Sequence, residues 1–150
     1  MKQPLQSTIK RLVRDHNRPT IYRLIIRDNE SVVFDDAWHS IKFMTRAAAE
    51  WFADLLQNLM ALGGQVNREV CHTWQGDLMD DCSLKVPEYD CHAEHLQGPF
   101  GKGGIWCCQV WSGARSVFHS ADHELQIRSG PAARWLCELM VQADQLRDTE

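Results

Sequence analysis

The chain has 150 residues, of which 44% are hydrophobic and 24% charged, and its formal net charge is −4. That composition supports a packed core and excludes a disordered or low-complexity protein. No apolar run approaches the roughly 18 residues of a membrane-spanning helix. Met1–Lys10 lacks the apolar stretch of a secretory signal, so the expected location is the cytoplasm, without a membrane partner. There the 6 cysteines favour free thiols or a metal over disulfides.

Leu5, Ile9, Leu12 and Val13 fall on one stripe of a helix. They predict a basic N-terminal helix within residues 1–19, stopped by Asn17–Arg18–Pro19. Charge is concentrated here. Residues 1–27 hold Lys2, Lys10, Arg11, Arg14, Arg18, Arg23 and Arg27 against Asp15 alone, which leaves the rest of the chain acidic. Such an arm meets either its own acidic body or an anionic partner.

Ile21–Arg27 reads as a strand with Tyr22, Leu24 and Ile26 on one face and Arg23 and Arg27 on the other. Turn chemistry at Asp28–Asn29–Glu30 leads to a second strand at Ser31–Asp35, and a third lies near Ser40–Met44. Thr45 is a fitting N-cap for a helix whose apolar stripe runs through Ala48, Trp51, Leu55 and Leu59 to Gly63–Gly64.

Residues 65–104 form a connecting segment: a strand over Gln65–Trp74, an acidic loop at Gln75–Asp81, a short strand at Ser83–Val86 and a glycine-rich stretch at Gly98–Gly104. After it the first pattern returns. At an offset of 84, Ile21, Val33, Phe34, Ala37, His39, Ala48, Ala49, Trp51 and Leu55 meet identical residues at Ile105, Val117, Phe118, Ala121, His123, Ala132, Ala133, Trp135 and Leu139. Ser129 takes the place of Thr45. The expected fold is therefore α+β, one compact domain with internal duplication of a βββα unit. A pseudo-two-fold relates lobe one (20–64) to lobe two (105–150), and a Cys/His-containing insertion separates them.

Three groups of residues carry chemical interest. In the segment between the repeats, Cys71, Cys82, Cys91 and His95 offer a Cys3His set for structural zinc, with Cys91 and His95 on one face if that stretch is helical. Without zinc, no cofactor is expected. His39 and His123 stand at equivalent strand ends, and His119 and Asp122 lie beside the second, so the four form a possible polar cluster.

Candidate partner-binding residues are Lys10, Arg11, Arg14 and Arg18, with Trp38, Trp74 and Trp111 as interface anchors. No nucleophile–base–orienter arrangement, phosphate loop or deaminase pattern is present, and no catalytic residue is assigned. The sequence thus leads to a small non-catalytic binding or regulatory protein that presents a macromolecule-binding surface, with a protein as the first expected partner. The alternatives are a zinc-binding protein using Cys71–His95 and a nucleic-acid binder using residues 10–27. Oligomeric state is left open.

Overall fold

A computed structural model describes residues 5–14, 17–66, 73–76, 81–96 and 105–148. The fold is mixed α+β, and the described residues form a ten-stranded antiparallel sheet with two α-helices. The first half of the sheet contains β1 (Gln6–Leu12), β2 (Ile21–Asp28), β3 (Ser31–Asp35) and β4 (Ile41–Phe43), followed by α1 (Arg46–Ala61). Then come β5 (Gln75–Gly76), β6 (Cys82–Val86), β7 (Tyr89–Leu96), β8 (Ile105–Ser112), β9 (Arg115–His119), β10 (Leu125–Ile127) and α2 (Gly130–Asp148). Spatial order is β1-β2-β4-β10-β8-β7-β6-β5, with β3 on β2 and β9 on β8.

The two halves of the sheet join along β4 and β10. Ile41 faces Ile127, Lys42 faces Gln126 and Phe43 faces Leu125. Backbone bonds of 2.8 Å close both ends of this seam, Met44 N–H to the Glu124 carbonyl and Arg128 N–H to the Ser40 carbonyl. The register recurs at the same offset of 84 on either side. Tyr22 faces Phe43 as Trp106 faces Ile127. Ile26 faces Phe34 as Val110 faces Phe118, and each hairpin shifts register one residue later. Asn29 and Gly113 fill the same turn position, with φ of 57° and 60°, a left-handed conformation that asparagine and glycine adopt at least cost.

The expected N-terminal helix is instead β1. Leu5 and Ile9 are four apart, an even spacing that suits one face of a strand as well as one stripe of a helix. Leu12 and Val13, which had favoured the helix, are 36% and 70% exposed. Pairing decides the outcome, because all seven residues of β1 lie opposite β2 and satisfy an edge that a helix would leave open.

The segment between the repeats needs a second correction. Residues 90–96 pair with β8 as residues 6–12 pair with β2, so Asp90 faces Trp111 where Gln6 faces Arg27. Part of that segment is thus a structural counterpart of the N-terminal strand. Cys91 and His95 consequently lie on a strand, not a helix. The strand expected over Gln65–Trp74 falls largely outside the described residues.

The helices pack on one face of the sheet, α1 against β1, β2 and β4, and α2 against β7, β8 and β9. Thr45 and Ser129 hydroxyls accept the Ala48 and Ala132 N–H groups and cap the two helices. Leu24, Ile26, Phe34, Phe43, Phe52, Val110, Ile127 and Leu136 are buried in a single core. Each such side chain contributes about 1.5–3 kcal/mol on burial.

Candidate functional site

With Ile41 and Phe43 in the core, strand alternation turns Lys42 toward the face the helices leave uncovered. Lys42 sits at the seam, at the middle of the sheet. Partial burial, then the guanidinium groups of Arg128, Arg14 and Arg18, push its ammonium group below the ordinary lysine value. Arg128 is held beside β4 by its backbone bond to Ser40, while Arg14, whose Nε donates to the Pro19 carbonyl at 2.9 Å, and Arg18 act on Lys42 from the connection after β1.

Lys10 extends this patch along β1. It lies opposite Arg23, and that like-charged pair is relieved because Arg23 turns to Asp35 and Asp36, at 2.6 and 3.2 Å. The bond to Asp35 is the main reason that the Arg23 guanidinium holds its proton more tightly than usual. Arg11 faces Tyr22 on the other side of the sheet and does not join the patch. Of the predicted basic residues, Lys10 thus belongs to the uncovered side, and Arg14 and Arg18 lie near enough to Lys42 to act on its charge. Arg128 was missed because only the β4–β10 pairing brings it to Lys42, and nothing local in the sequence marks that pairing.

The other half of the same face is different in charge. Glu94 and Cys107 stand where Lys10 and Arg23 stand in the first half, and Trp111 replaces Arg27. The Asp36 carboxylate accepts the Leu24 N–H at 3.2 Å, where β2 passes from β3 to β4. Ser120 accepts the Cys108 N–H at 2.9 Å in the matching place. An ion pair in one half, Arg23–Asp36, thus corresponds to a thiol and hydroxyl in the other, Cys107–Ser120.

Of the four residues expected to hold zinc, three are described, on β6 and β7. Cys71 lies outside the described residues. Cys82 and Cys91 point into the core from β6 and β7, and burial raises both thiols, Cys91 to about 12. His95 stacks on Trp106 with ring centroids 4.9 Å apart. Among the described residues, no three His, Cys, Asp or Glu side chains are grouped to hold a metal ion.

The histidine cluster is also divided. His39 is buried, and its Nδ1 lies 3.1 Å from the Asp35 carbonyl oxygen, so that nitrogen carries the proton. His39 packs on Trp135 at 4.6 Å, and His123 packs on Trp51 at 3.9 Å. Each histidine therefore meets a tryptophan from the opposite helix. His119 is half-buried on β9 opposite Gln109, and Asp122 is exposed.

The three candidate anchors differ. Trp38 is 56% exposed. Trp74 and Trp111 are half-buried, and the Trp111 indole N–H donates to Gln109 Oε1 at 3.2 Å. Among the described residues, no helix is long and apolar enough to cross a membrane. Comparison with family models, with curated proteins and with solved structures finds no match to the chain.

Proposed function

We propose that the chain is a non-catalytic binding module, derived by internal duplication of a βββα unit, that holds single-stranded nucleic acid on the uncovered face of its sheet. The reading rests on one observation, that Lys10 and Lys42 turn onto the uncovered face by strand register while Arg128 follows β10 at the seam, with Arg14 and Arg18 near enough to depress the Lys42 ammonium. Cations on one face attract phosphate groups, which bind with release of counterions. The recurring strand register supports the duplication, and the preceding strands β1 and β7 extend the repeated unit to four strands.

A single strand suits the face better than a duplex. The basic half borders a half carrying Glu94 and Asp90, which would repel a rigid duplex laid across the full sheet. A flexible strand follows the cations and avoids the acids. The fit to phosphate is a matter of charge, so little base preference is expected from this patch.

Fluorescence anisotropy of a labelled oligonucleotide of about 20 residues, titrated at several salt concentrations, tests the reading. Four neutralised phosphates give a log–log salt slope of about −3. The double variant Lys42→Gln/Arg128→Gln should weaken binding about tenfold or more and flatten the slope by about 1.4. Absence of binding at low salt, or an unchanged slope in the double variant, overturns it. Tighter binding to a duplex overturns the single-strand assignment.

A further inference from the structure

The Trp51–His123 contact borders a cleft of about 660 Å³ between the C-terminal halves of α1 and α2. Its counterpart in the other half is closed: Trp135 is 2% and His39 is 6% exposed, whereas Trp51 and His123 are both half-buried. The same tryptophan–histidine pair therefore serves as sealed core on one side and as cleft wall on the other. An opening of this size takes a small molecule.

The wall has a definite shape. Trp51, Phe118 and His123 lie nearly parallel, with interplanar angles of 5°, 16° and 20°. The rings form a stack: His123 lies face to face on Trp51 at 3.9 Å, Phe118 is buried beside them, and Leu55, Leu59 and Met140 line the cleft. A planar ring packs against the half-buried Trp51 by offset stacking and dispersion.

The polar end decides the charge of the ligand. Asp144 is there, but both its oxygens are engaged, by Arg115 at 3.1 and 2.9 Å and by the Tyr89 hydroxyl at 2.7 Å. Its charge is thus already matched, and a cationic ligand finds little to bind. Arg147 also borders the cleft. It has no counterpart in the other half, because α1 ends at Ala61 and the position at the same offset is Gly63. The longer α2 alone supplies this cation.

We propose that this cleft binds a planar aromatic carboxylate, its ring against Trp51 and its carboxylate on Arg147. The site is separate from the basic sheet face, so either assignment stands or falls without the other.

Isothermal titration calorimetry of the full chain with 1-naphthylacetate tests the proposal, with 2-(1-naphthyl)ethanol as the neutral comparator. The acid should bind with a dissociation constant below about 1 mM. The alcohol should bind about tenfold more weakly, and Arg147→Gln should weaken acid binding by a similar factor, as expected for loss of a charge-assisted bond. Leu55→Trp, which fills the cleft, should abolish binding while the thermal transition persists. No acid binding at millimolar concentration overturns the proposal. So does equal binding of acid and alcohol, undiminished binding by Arg147→Gln, or full binding by folded Leu55→Trp.

Discussion

Trp51 of α1 stacks on His123, which follows β9, with centroids 3.9 Å apart and planes 16° from parallel. Trp135 of α2 makes the corresponding contact with His39 at 4.6 Å, so each helix places its indole on the other half of the molecule. The two halves are tied by this exchange as well as by the seam between β4 and β10.

The exchange is unequal in stability. Trp135 is almost fully buried, between Phe34, His39 and Phe52. Trp135→Ala should cost about 3–5 kcal/mol, the usual range for truncating a buried large aromatic side chain. Trp51→Ala should cost clearly less, because Trp51 borders an open cleft. Urea unfolding of the two variants measures the difference, and equal losses would contradict it.

His123 makes stability depend on pH in a defined direction. Burial, opposed by Asp122, pushes its imidazole below the ordinary value. The unfolded chain then takes up a proton first as pH falls through about 6.5. Stability contributed by neutral His123 is present above that value, declines as pH falls below it and levels off beneath the folded-state pKa. His123→Gln should remove this component, visible as a smaller change in urea midpoint between about pH 7.5 and pH 5.5.

Asp144 acts in the acid range. The Arg115 guanidinium, and then the Tyr89 hydroxyl, hold its carboxyl below the ordinary value despite partial burial. The stability it contributes is present above the ordinary aspartate pKa of about 3.9 and is lost as pH falls through the lower folded-state value. Tyr89→Phe should cost about 1 kcal/mol near neutrality. Arg115→Gln should shrink the acid-range loss more than Tyr89→Phe does. Chemical denaturation between about pH 2 and pH 5 distinguishes them.

The sheet depends on two side chains at the points where β2 and β8 change partner. Asp36→Ala leaves the Leu24 N–H without its acceptor, and Ser120→Ala does the same at Cys108. Each should cost about 1–3 kcal/mol, and the two losses should add if the halves respond independently. Slower folding of both variants without a change in equilibrium stability would count against this assignment.

Cys82, Cys91, Cys107, Cys108 and Cys137 are free and buried. Burial also holds the thiols of Cys82, Cys91 and Cys137 above their ordinary value. Thiolate is the reactive form, so alkylation of these five should follow unfolding. Pulsed iodoacetamide labelling with peptide mass spectrometry should show protection in buffer and modification in urea. Rapid native labelling of Cys91 or Cys137 would contradict the packing described.

Local sequence reported the elements that obey a single periodicity. Leu24 and Ile26 marked β2, Ser31–Asp35 matched β3 from end to end, and Thr45 and Ser129 marked the helix starts. It failed where two periods share a spacing, as with Leu5 and Ile9, which lie four apart in helix and strand alike. Residues 90–96 share almost no identity with 6–12, although they hold the same place in the register. Strand pairing is satisfied by backbone groups that every residue but proline carries, so that equivalence left little trace in side chains.

The recurring aromatic and alanine positions were legible in the sequence alone, because they answer to burial and helix capping within short windows. Tertiary structure decided that the halves fuse through β4 and β10, that Arg128 joins Lys42, and that Trp51 reaches His123 and not His39. These relationships link residues far apart in the chain through hydrogen bonds and packing, and no local pattern specifies which distant partner a strand edge or ring face will meet.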